Sequence, residues 1–249
     1  MSNVARAVNG DRHRRYDCGM RYRIVFLAAI GVLVALASVV PAQQVESDEA
    51  RRLRDSIAIL DEVMAARDNS IPQSILDKAQ GIAVFPSTVK AGFIFGGMRG
   101  RGILSARRDG TWTAPIFMTL TGGSFGLQIG GQATDVVLVI MNERGVETLV
   151  RSQFKLGADA WVAAGPVGRD AQAGTDLQMR AEILSYSRAR GLFAGLSING
   201  STVRADDDAI ERFYGTRLDP VQVVLNKATV TAPAPVPDWI AALTRHAPR

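Results

Sequence analysis

The density of glycine between residues 92 and 131 limits the shape of this chain more than any other feature. The stretches GFIFGGMRGRGIL and GGSFGLQIGG carry Gly92, Gly96, Gly97, Gly100, Gly102, Gly122, Gly123, Gly126, Gly130 and Gly131, interleaved with β-branched and aromatic residues. Such interleaving reads as strands. Glycine weakens a strand unless a bulge, sharp coiling or close backbone approach calls for it. The expectation is therefore a strongly curved, glycine-rich antiparallel sheet.

Other segments supply cover for that sheet. From Ser47 to Arg67 there is no Gly or Pro, and Leu53, Ile57, Leu60 and Met64 recur at spacings of three and four, which predicts an amphipathic helix. A short helix is expected from Pro72 to Ala79 with Ser70 as its cap, Pro72 being tolerated in a first turn. Asp109-Gly110 is a two-residue hairpin signal. Phe125, Leu127 and Ile129 alternate with small or polar residues, Val136 to Met141 form a buried run, and Asn142 caps a helix reaching Ser152. Further strands are predicted at Asp159 to Gly165, Met179 to Ser187 and Leu192 to Ile198. Asp206, Asp207 and Asp208 open a helix ending at Tyr214, as acidic residues favour a helix start. The segment TAPAPVPDW predicts an extended, proline-rich tail. The fold class is α+β, one domain over residues 43–219, with a short helix and the tail over 220–249.

Charge divides the chain unevenly. Of 29 Lys/Arg and 24 Asp/Glu, residues 1–42 hold six and two, so the rest is almost neutral. Nucleic-acid binding by bulk attraction is not supported, since it needs a basic face that displaces counterions. Ile24 to Val40 is uncharged and mostly aliphatic, preceded by Arg21 and Arg23 and followed by Pro41 and Ala42. Basic flank, apolar run and small-residue exit are the grammar of a secretion signal, with cleavage after Ala42 and Met20 as an alternative start. A retained anchor competes, because spanning helices need about 17 to 25 residues. Cys18 lies upstream of the run, so the mature chain is expected to carry neither a thiol nor a disulfide.

Three long blocks resemble one known family. ILDKAQGIAVFPSTVKAGFIFGGMRGRGIL, GGSFGLQIGGQATDVVLVIM and EILSYSRARGLFAGLSINGSTVRADDDAIERFYG, in that order between about Ser47 and Gly215, are similar to the successive blocks of the SYLF domain. The resemblance implies a non-enzymatic lipid-binding module, with phosphoinositide binding attributed to eukaryotic members. It also implies an alternative, a protein-binding scaffold with the actin-binding activity of fungal and animal relatives. Together with the leader, it implies an exported bacterial member, periplasmic or envelope-associated.

Catalytic chemistry finds little purchase in the residues. Gly122-Gly123-Ser124-Phe125-Gly126 fits a nucleophile-elbow pattern, but strand-like alternation follows it, and the only histidine after the leader, His246, lies beyond the proline-rich segment. No metal site is expected where zinc and copper would find one histidine and no thiol. An acidic helix start is the ordinary reading of Asp206 to Asp208, against a cation loop. Gly100-Arg101-Gly102 has Ser105 where a dinucleotide fingerprint needs glycine, so no cofactor is predicted. Lys90, Arg99, Arg101, Arg107 and Arg108 are the candidate lipid-binding residues, since strand alternation can put several on one face to meet anionic membrane lipids. The competing reading is a solvated face. The helix over residues 47–67, with Arg51, Arg52 and Arg54, offers a second membrane route, although core packing explains its stripe equally well.

Overall fold

The computed structural model describes residues 46–66, 70–92, 95–125, 130–151, 154–168, 180–189, 192–196, 198–225 and 230–248. The leader and the alternation at Leu127 and Ile129 lie outside the described residues. Residues Glu46–Arg249 form one unit, and every core residue described belongs to it.

The first helix, α1 (Asp48–Ala65), begins where the Ser47 hydroxyl accepts the Ala50 N–H at 3.1 Å. Asp48 and Glu49 add negative charge at the positive end of the helix dipole. The predicted stripe is buried, with Leu53 and Leu60 wholly enclosed and Ile57 and Met64 packed on the core. A four-residue α2 (Gln73–Leu76) follows. Its cap is Pro72 and not Ser70, whose carbonyl instead accepts the Gly168 N–H.

The strands are β1 (Gly81–Gly92), β2 (Phe95–Arg108), β3 (Thr111–Trp112), β4 (Ile116–Phe125), β5 (Gly130–Ile140), β6 (Phe154–Lys155), β7 (Val162–Ala164), β8 (Ile183–Ala189), β9 (Leu192–Gly195) and β10 (Thr202–Ala205). They form a strongly curled sheet in the order β6-β10-β4-β2-β1-β5-β8-β7, with β3 on β2 and β9 on β8. Pairing is antiparallel except for β7 with β8. Asp109 and Gly110 turn β2 into β3 with φ of 46° and 76°, the positive angles that this pair of residues tolerates. Among the described residues, four further helices follow: α3 (Glu143–Arg151), α4 (Asp207–Tyr214), α5 (Pro220–Val224) and α6 (Val236–His246). Asn142 caps α3 through its Oδ1, which accepts the Gly145 N–H at 2.7 Å, as its sequence predicts.

Alternation along β2 assigns helices to the two faces. Ser105 accepts a hydrogen bond from Trp239 of α6, and Phe117, opposite Ile103, meets Arg52 of α1 and Phe213 of α4. These residues share one face with Arg99 and Arg101. On the other face, a Cβ at Gly81 would touch Val146 of α3, and Arg108 reaches α5. The C-terminal region is therefore no extended tail: α6 lies against α1 and buries Val236, Trp239, Ala242 and Leu243 completely.

One irregularity shapes the sheet where β1 crosses its middle. Five steps along β1, from Val84 to Val89, span four along β2, from Ile103 to Arg99, and the shift recurs against β5. The extra residue is a bulge at Pro86-Ser87, with Ser87 at φ 47°. It brings β1 so close to β2 that a Cβ on Gly102 would lie 2.3 Å from the Val84 carbonyl oxygen. Here the chain needs glycine for proximity, one of the uses its density implies.

Candidate functional site

Arg99 and Arg101 stand two residues apart on β2 and share a face. Both are exposed, and neither makes a hydrogen bond or ion pair with another described residue. Val89 is directly opposite Arg99 and is 49% exposed, one of two large hydrophobic side chains so open among the described residues. Around them runs an open groove of about 540 Å³, lined by Pro86, Ser87, Val89, Gly97, Met98, Arg99, Gly100 and Arg101. Gly97 pairs with Gly123 across β2 and β4, and a Cβ built on either would meet nothing within 4 Å. Packing does not demand glycine at these two positions; their effect is a low, bare floor beside the arginines.

The groove's wall is fixed from behind. The Ser87 N–H donates to Asp135 Oδ1 at 2.9 Å, and Asp135 Oδ2 accepts Arg188 Nε and Nη2 at 2.9 and 2.8 Å. Arg188 also pairs with Glu62 of α1. The bulge that forms the wall is thus tied through β8 to the helix above the sheet.

The five basic residues singled out in the sequence do not converge. Lys90 pairs with Met98 and lies on the face opposite Arg99, because the extra residue at Pro86-Ser87 shifts the alternation of β1 by one. Burial lowers its pKa from the ordinary lysine value, as desolvation disfavours the ammonium ion. Arg107 is 7% exposed and donates to the carbonyl oxygens of Asp77 (2.9 Å), Leu76 (3.4 Å) and Ala247 (2.6 Å), with its guanidinium 4.8 Å from the Trp112 ring centre. Arg108 donates to the Val224 carbonyl at 3.4 Å and pairs with Glu143 at 3.2 Å. These two arginines neutralise carbonyls at the C-terminal ends of α2, α6 and α5, where a helix carries partial negative charge. Of the five, Arg99 and Arg101 remain on open surface.

Arg52, a surface charge in the membrane-helix reading of the sequence, is buried to 7% exposure. Its guanidinium carbon is 5.4 Å from the centre of the Phe117 ring. Burial lowers its pKa from the ordinary arginine value, opposed by the charges of Glu49 and Asp206 and reinforced by Arg101. A charge at spacing three from Glu49 and four from Ser56, inside the apolar stripe, is the signal the sequence holds for this. With the stripe of α1 packed on the sheet, that helix offers no free apolar face. Arg51 pairs with Asp48, and Arg54 with Glu46.

Ser124 falls within β4, opposite Gly96, and not on a strand-to-helix turn. His246 is committed elsewhere, its Nε2 lying 2.6 Å from Asp61 Oδ1 where α6 meets α1. Asp206 caps α4 by accepting the Ala209 N–H at 3.2 Å, with Asp207 and Asp208 in the first turn. Among the described residues, no helix is long and apolar enough to cross a membrane.

Comparison with known proteins gives a consistent result. Residues 121–246 match the family model Ysc84, described as Las17-binding protein actin regulator. That span opens at Thr121, the cross-strand partner of Arg99, and closes at the last residue of α6. The chain is 35% identical to Protein YSC84 of Saccharomyces cerevisiae over 176 residues, covering 68% of this chain and 37% of the yeast protein. It is 35% identical over 176 residues to LAS seventeen-binding protein 3 of the same yeast, covering 68% and 38%. With SH3 domain-containing YSC84-like protein 1 of Mus musculus it shares 36% over 149 residues, covering 59% and 44%. The chain spans less than half the length of each of these relatives.

Proposed function

Because this chain belongs to the SYLF family, the Ysc84-type actin regulators, we propose that its folded unit is a non-enzymatic module that binds anionic phospholipid through the groove on β1 and β2. The observation that carries this reading is the pairing of Val89 with Arg99. An exposed apolar side chain, a glycine floor and two unpaired arginines lie within one open groove. Lipid is a ligand with both characters, an apolar body and an anionic head. Arginine grips phosphate through paired donors, which a lysine point charge cannot do.

Export is part of the reading. The uncharged run from Ile24 to Val40 and its small-residue exit support delivery to a bacterial envelope or periplasm, where the groove would meet a membrane surface.

Liposome co-sedimentation of residues 46–249 with anionic and neutral vesicles tests the lipid claim. Basic side chains near an anionic surface contribute about 1 kcal/mol each, so Arg99→Ser with Arg101→Ser weakens binding by roughly thirtyfold. High salt has the same effect. A double variant that binds anionic vesicles as tightly as wild type overturns the assignment. The family description favours a second reading, in which the same groove docks a protein partner as an actin regulator does. Equal indifference to anionic and neutral vesicles, with binding of the chain to filamentous actin lost in the double variant, would select it.

A further inference from the structure

The three tryptophans of the chain are used in two ways. Trp112 and Trp239 are buried, and their indole N–H groups donate to the Ala247 carbonyl at 3.3 Å and the Ser105 hydroxyl at 2.9 Å. Trp161, the residue before β7, is 49% exposed, and its N–H has no partner among the described residues. One exposed apolar side chain is ordinary on any protein surface. This one lies in a second open groove of about 540 Å³, lined also by Arg144, Asp159, Arg180, Glu182 and the turn over 157–160. The groove on β1 and β2 shares none of these residues. Backbone bonds hold the lining together. The Glu182 N–H donates to the Trp161 carbonyl at 2.9 Å, and the Glu182 carbonyl accepts the Met141 N–H at 2.8 Å, just before α3, whose first turn carries Arg144. Asp159 Oδ2 accepts the Lys155 N–H at 2.7 Å, which closes the turn leading to Trp161. The side chains of Arg144, Arg180 and Glu182 make no hydrogen bond or ion pair among the described residues.

We infer that this second groove binds a neutral carbohydrate chain, with one pyranose ring stacked on the indole of Trp161. Such a ring carries C–H groups on its faces and hydroxyls around its rim. An indole offers a large, flat apolar surface and a single N–H donor beside it, which matches both parts. The polar lining fixes the rest of the chemistry. Two guanidinium groups and two carboxylates cancel in charge, so the groove selects a ligand that is uncharged yet rich in groups that both donate and accept. A hydroxyl does both at once, donating to Asp159 or Glu182 and accepting from Arg144 or Arg180. Hydrogen bonds with one charged partner are the stronger kind, so few of them are needed to orient a ring. Because the groove is open, a ring can lie in it while the chain continues on either side. The inference stands apart from the lipid reading, since the two grooves have no residue in common.

The test uses the unit Glu46–Arg249, which holds every described core residue. Chitohexaose and cellohexaose, two neutral oligosaccharides, and oligogalacturonate, an acidic one, are titrated by calorimetry and by tryptophan fluorescence. The expected result is binding of at least one neutral oligosaccharide in preference to the acidic one, with a blue shift of emission as Trp161 leaves water. Trp161→Ala is expected to weaken that binding by about tenfold or more and to remove the blue shift, as truncating an aromatic anchor does. Arg180→Ser, which changes an exposed side chain without a partner, weakens it while circular dichroism and melting stay as in wild type. The Arg99→Ser, Arg101→Ser double variant binds the sugar normally. No binding of either neutral oligosaccharide overturns the inference, and so does a preference for oligogalacturonate. Binding that survives Trp161→Ala unchanged, or that is lost in the Arg99→Ser, Arg101→Ser variant, overturns the placement of the site.

Discussion

The indole Nε1 of Trp239 donates to the Ser105 hydroxyl oxygen at 2.9 Å, and both residues are completely buried. This bond joins α6, near the C-terminus, to the C-terminal end of β2. Removing the acceptor with Ser105→Ala leaves a buried N–H unpaired and lowers stability by about 1 to 3 kcal/mol. Trp239→Ala adds a cavity and costs about 3 to 5 kcal/mol. Urea denaturation measures both. If either change is neutral, α6 is peripheral to the fold.

Arg107 and Arg99 separate structure from binding. Arg107→Ala strips three carbonyl oxygens of a charged donor and is expected to lower stability by about 2 to 3 kcal/mol. Arg99→Ala touches no partner and stays within about 0.5 kcal/mol of wild type, while weakening capture of anionic vesicles. Thermal melts alongside co-sedimentation read the contrast, and a reversed pattern would contradict the division of the basic residues made above.

Two glycines of β2 predict opposite behaviour. Gly102→Ala forces a methyl against the Val84 carbonyl and the Phe85 ring, 2.3 and 2.5 Å from the new carbon, and overpacking of this kind costs about 1 to 3 kcal/mol or more. Gly97→Ala points into open space and leaves the melting temperature unchanged or slightly raised. A stable Gly102→Ala protein would mean that β1 does not press on β2 at the bulge.

Export predicts a defined product. Intact-mass analysis of the secreted chain is expected to show Gln43 as the first residue. A species retaining residues 24–40 would point to an anchor instead.

Features decided by a few neighbouring residues are legible in the sequence alone. Asp109-Gly110 names its own turn, Asn142 its own cap, and the spacing of Leu53 and Leu60 its own buried stripe, because each rests on backbone angles or periodicity within about two helical turns. The C-terminal helix is hidden by its setting. Pro233, Pro235 and Pro237 draw attention from Val236, Trp239, Ala242 and Leu243, whose spacing of three, three and one marks an inward stripe. Arg107 and Arg108 read as surface charge because their acceptors, such as Ala247 and Val224, are more than a hundred residues away in sequence. Of the candidate groove, Arg99 and Arg101 are legible from alternation within one strand. Lys90 is not, since its face depends on a bulge that only pairing across two strands reveals.

That bulge gives one amino-acid sequence two possible groove chemistries, separated by a slip of a single residue. If β1 took up its extra residue by sliding along β2 instead of bulging, the register of Val84 opposite Ile103 would run on, Lys90 would fall opposite Gly97, and Val89 would turn to the other face opposite Met98. The slipped strand would exchange an apolar contact for a third cation at the groove's centre without any change of side chain. The bond from the Ser87 N–H to Asp135 is what pins the bulge in place, so a carboxylate on a neighbouring strand holds the groove to its amphipathic form. A codon lost at Ser87 has a different effect, for it removes the extra residue itself and leaves Val89 opposite Arg99 with the strand straightened. Related chains can therefore shed that position and keep the same faces.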